Sequence, residues 1–226
     1  MTNGGLRDRG GPMATRQEAT GEQLTWFPRD WRTHLRRHWD SGWAGLFGTP
    51  VLAWVMPALL IAAILSVWST PLAWLLAKPV QEIIAPTVAA LASATALYAH
   101  VRLRAVATGL LAVFVTTIFF RELHFGPTVG GVHLVLIGCF FVFSLRRLEM
   151  QAFLADRWVR TWLAGAVLTY VVAYIIDESW VAFLPGFQAW RHVVEETLET
   201  CGHVQLFALS LAVIGVRLRA AANTER

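Results

Sequence analysis

The chain alternates long apolar runs with short polar, arginine-bearing breaks. Runs of about 20 apolar residues are the length that crosses a hydrocarbon core of roughly 30 Å at 1.5 Å per helical residue. Six such stretches occur, near residues 51–69, 81–101, 105–122, 131–145, 161–177 and 196–216. The pattern predicts an all-α, polytopic integral membrane bundle of six transmembrane helices occupying residues 49–219. Ahead of it, residues 1–25 are Gly-, Thr- and charge-rich without periodicity and read as a disordered cytoplasmic tail. Residues 26–48 place Phe27, Trp31, Leu35, Trp39, Trp43 and Phe47 at every fourth position among Arg29, Arg32, Arg36 and Arg37. That spacing predicts a basic, Trp-rich amphipathic helix lying along the headgroups, an anchor whose alternative use is to dock a partner protein. Residues 220–226 form a short second tail.

Composition agrees with this pattern. The chain has a mean hydropathy of +0.51 and only 15% charged residues, against about a quarter in an average soluble chain. Two cysteines in 226 residues do not make a disulfide-stapled module. Cys139 and Cys201 fall roughly 10 Å and 24 Å up their helices, which predicts two free thiols.

Charge then supplies orientation, because cytoplasmic loops retain Lys and Arg. Sixteen of the 19 basic residues lie in segments on one side of the predicted spans, leaving Lys78, Arg121 and Arg191 on the other. Six spans with both termini cytoplasmic satisfy that bias at every loop. The basic excess is thereby accounted for without nucleic acid, and the expected setting is a bacterial-type inner (plasma) membrane, with membrane lipids as neighbours. Within the second span, Ala89, Ala92, Ser93, Ala96 and Ala99 form a small-residue face suited to close helix packing. Pro71 and Pro79 bracket a short segment expected at the outer interface, and the aromatic loop 180–190 is expected to form an interfacial belt.

The acids change the picture most. Seven of 15, namely Glu82, Glu122, Asp177, Glu178, Glu195, Glu196 and Glu199, fall on the arginine-poor side, with His124, His133, His192 and His203. Measured along the helices, Glu122, Asp177 and Glu199 stand roughly 25–27 Å above the cytoplasmic arginines, and His133 and His203 roughly 20 Å above them. The last helix carries HVVEETLETCGH, in which His192, Glu195, Glu196, Glu199 and His203 share a sector of about 100°. Ionisable groups at membrane depth cost a few kcal/mol each, so such a cluster is expected to be paired, protonated or metal-bound.

Carboxylate and imidazole donors together suit zinc, iron or manganese. One expectation is therefore a divalent-metal centre with Glu122, His124, His133, Glu199 and His203 as ligands and Glu196 or Asp177 as general base. It would serve a hydrolase or oxidoreductase acting on a lipid or amphiphilic substrate. The alternatives from the same residues are a proton or cation transporter or sensor, and an accessory subunit of a membrane complex.

Overall fold

The computed structural model describes residues 50–123 and 128–224. The tail, the Trp-rich segment and His124 lie outside these residues, as do some side chains within the later helices, that of His133 among them. The described residues form seven α-helices and no strand. They are α1 (Val51–Trp68), α2 (Lys78–Leu103), α3 (Val106–Glu122), α4 (Thr128–Leu145), α5 (Arg147–Leu154), α6 (Arg157–Asp177) and α7 (Phe187–Thr224), with a 3-10 turn at Pro71–Leu76 between α1 and α2.

Local chemistry sets the boundaries. The Thr70 hydroxyl accepts the Leu72 N–H and opens the 3-10 turn. Pro79 occupies the first turn of α2, where its missing N–H has no intrahelical partner to lose. α2 ends at Arg104, a left-handed residue at φ 48° whose N–H returns to the His100 carbonyl at 2.7 Å. α6 is capped by Asp156, whose carboxylate accepts the Trp158 and Val159 N–H groups at 2.8 and 3.1 Å. α7 starts after Gly186, a left-handed turn residue at φ 69°.

Among the described residues, four helices are long and apolar enough to cross a membrane: α1, α2, α6 and the Phe187–Val216 part of α7. The other two expected spans are the helices α3, of 17 residues, and α4, of 18. In the four candidates only 17 to 44% of the apolar window is buried inside the protein. Leu59, Leu91, Val101, Val171 and Leu211 point outward, an arrangement that suits lipid and would aggregate in water. Four such helices are consistent with a multi-pass membrane protein.

The core sits where α7 meets α2, α3 and α6. The small face of α2 is buried as its spacing predicted, with Ala92, Ala96 and Ala99 fully inaccessible. It lets Leu206, Leu209 and Val213 of α7 and Leu111 and Val115 of α3 pack into one cluster. Ser93 and Thr116 share a 2.8 Å hydrogen bond across the α2–α3 contact. Two boundaries differ from the sequence reading. The break after the fourth apolar run contains α5, held by the buried Met150 and an Arg146–Glu149 contact. α7 begins at Phe187, within the stretch 180–190 expected to be a loop: Phe187 is buried in one cluster with Ile64, Ala173 and Ile176, so tertiary packing extends the helix into that stretch.

Candidate functional site

The acid-rich end of the bundle holds a cavity of about 460 Å³. Three helices build it: α2 contributes Lys78, Gln81, Glu82, Ala85 and Pro86, α3 contributes Arg121 and Glu122, and α7 contributes Glu195, Glu196 and Glu199. The three α7 acids line it together because positions i, i+1 and i+4 lie on one helix face. A buried polar frame fixes α2 against α7: the Gln81 amide donates to the Leu75 carbonyl at 2.7 Å and its oxygen accepts the Thr200 hydroxyl at 2.7 Å.

Arg121 donates to Glu199 at 2.7 Å, linking α3 to α7. Beside it, Glu122 faces inward, and its Oε1 lies 3.4 Å from Nε2 of His203. His203 is only 1% exposed. Its Nδ1 meets the Tyr170 hydroxyl at 2.5 Å, so α3, α7 and α6 contribute one carboxylate, one imidazole and one phenol in a row. If Tyr170 donates to Nδ1, the neutral ring carries its proton on Nε2, toward Glu122. The row exists because Gly202 has no side chain: a Cβ there would meet Tyr170 Cζ at 2.7 Å. One layer below, Thr169 and Gln205 bond at 3.1 Å and satisfy each other in the core.

The structure brings together Glu122, Glu196, Glu199 and His203 among the expected site residues. Asp177 does not line the cavity but interacts with Glu195, which does; its carboxylate is held by Arg191 at 3.2 Å and its carbonyl accepts from the same guanidinium, which ties the end of α6 to the start of α7. His124 and the His133 side chain lie outside the described residues. His192 is 74% exposed and makes a 3.8 Å contact with Glu195.

Among the described residues no group of three His, Cys, Asp or Glu side chains is gathered closely enough to hold a metal ion, and two of the five expected ligands, His124 and the His133 side chain, lie outside them. Of the other three, Glu199 is bound by Arg121 and His203 has one nitrogen on Tyr170. Both cysteines are free thiols, as expected.

Sequence reading placed Arg121 on the acid-rich side without a partner for it; it bridges to Glu199 on another helix. It passed over Tyr170, Gln81 and Thr200. The one local signal for Tyr170 is the Gly202–His203 pair, a missing side chain beside a buried imidazole. Neither a protein-family model nor a curated protein nor a solved structure matches the chain.

Proposed function

We propose that this chain is a six-span protein of the bacterial-type inner membrane, both termini cytoplasmic, that binds protons and cations from the outer side as a transporter or sensor. The observation that carries the reading is His203, buried between Tyr170 and Glu122, with Glu122 on the wall of an acidic cavity. Ionisable groups kept at such depth mark ion and proton paths more often than they stabilise a fold. Imidazole is the side chain whose ordinary titration range includes neutral pH. Tyr170 can turn its hydroxyl from donor to acceptor when Nδ1 gains a proton. A cation entering the cavity competes with the proton for the same carboxylates. Support for the orientation comes from the 16 arginines on the opposite side.

The test is proton release from the purified full chain in weakly buffered detergent, read with a pH dye as cations are added. Release is expected in the native protein and is expected to vanish in Glu122→Gln and in His203→Gln. Equal release in both variants, at unchanged stability, would refute the reading. Zinc, iron or manganese bound stoichiometrically and lost in His203→Gln would put a metal-dependent enzyme in its place.

A further inference from the structure

The two cations of the cavity are not equivalent. Arg121 is locked to Glu199 at 2.7 Å, a full charge-assisted hydrogen bond. Lys78 instead stands between two carboxylates on different helices, 4.0 Å from Glu82 and 3.9 Å from Glu196, and remains 69% exposed. Those distances are about 1 Å longer than a good ammonium–carboxylate contact. The lysine therefore offsets charge without filling the place between the two acids. With Glu122, Glu195 and Glu199, the cavity holds five carboxylates against two cations. Gln81 on the same wall is held in place by one bond at each end of its amide.

Size and lining decide the class of ligand. A volume of about 460 Å³ would hold on the order of 15 water molecules at roughly 30 Å³ each. The acids are spread around it rather than gathered at one point. Ala85 and Pro86 supply an apolar part of the wall. A second feature lies behind the same wall: His203 Nε2 is buried, has no hydrogen-bond partner among the described residues and stands 3.4 Å from Glu122.

We propose that the cavity binds an aliphatic ammonium compound, whose charged head takes the place between Glu82 and Glu196 that Lys78 only approaches. Lys78 is then a tethered competitor for the site. The proposal rests on the cation-binding reading above and names its ligand class.

Titration calorimetry of the purified full chain with butylamine tests it, with butanol as the neutral isostere and magnesium and manganese as bare dications. Butylamine is expected to bind and butanol not to. Lys78→Ala is expected to tighten butylamine by about two- to fivefold, the range of an exposed ion pair, and Glu196→Gln to weaken it. Both positions are partly exposed, so melting temperatures near that of the native chain verify folding. Unchanged or weaker butylamine binding in Lys78→Ala overturns the proposal, as does preference for either dication. If butylamine fails to bind while cation-driven proton release persists, this proposal falls and the broader reading stands; loss of both removes both.

Discussion

Replacing Gly202 by alanine tests the relay where it is tightest. The added Cβ would lie 2.7 Å from Tyr170 Cζ and 3.0 Å from both Cε atoms, whereas carbon atoms rest at about 3.5–4.0 Å. The ring must withdraw by roughly 1 Å, and a hydroxyl now 2.5 Å from His203 Nδ1 would move to roughly 3.5 Å, beyond hydrogen-bonding range. Overpacking costs about 1–3 kcal/mol and the lost bond about 1 kcal/mol. The better helix propensity of alanine returns about 1 kcal/mol. Steric strain therefore wins, and Gly202→Ala should destabilise by about 1–3 kcal/mol. Reversible unfolding in detergent measures this, in the native chain and in a Tyr170→Ala background. With the ring absent, the same substitution should be neutral or stabilising. Equal destabilisation in both backgrounds, or none in the native chain, would refute the geometry.

Further outcomes follow from the same structure. Gln81→Leu removes both of its bonds and leaves the Leu75 carbonyl and the Thr200 hydroxyl with one partner fewer each; a loss of about 1–2 kcal/mol in unfolding free energy is expected. Arg121→Ala frees the Glu199 carboxylate and should weaken the fold by up to about 1 kcal/mol while strengthening cation binding in calorimetry; the swapped pair Arg121→Glu with Glu199→Arg should recover stability. Arg191→Ala removes the bonds to Asp177, so limited proteolysis is expected to cut faster within residues 178–186. Single cysteines placed at Lys78 and at Arg157, in a chain lacking Cys139 and Cys201, should react with a membrane-impermeant thiol reagent from opposite sides of the membrane; labelling from one side would refute the orientation.

Features that depend on one helix alone were legible in the sequence. The alanine and serine face of α2 shows at a spacing of three and four residues, and its burial requires only that some neighbour come close. The stripe of Glu195, Glu196 and Glu199 follows from helical periodicity in the same way, and so does the inward run to His203. Partnerships between helices were not legible. Nothing in the order of residues says that Arg121 turns from its neighbour Glu122 to Glu199, 78 positions away, or that Tyr170 reaches His203 across a glycine. Asp177 matches the other acids in height and interacts with Glu195, but nothing in the order of residues shows that Arg191 holds it. The first turn of α7 falls in the stretch expected to be an aromatic loop, because aromatic composition does not separate a loop from a helix, whereas the buried place that Phe187 finds among Ile64, Ala173 and Ile176 does.

α7 runs unbroken for 38 residues, about 57 Å at 1.5 Å per residue, nearly twice the hydrocarbon thickness. One end bears the acids of the cavity, and the other carries Arg217 and Arg219. A rod of that length is a lever: a tilt of about 5° at one end moves the other by about 5 Å. Whatever shifts the carboxylates is thus reported on the far surface by the same piece of backbone, with no joint between to absorb the motion.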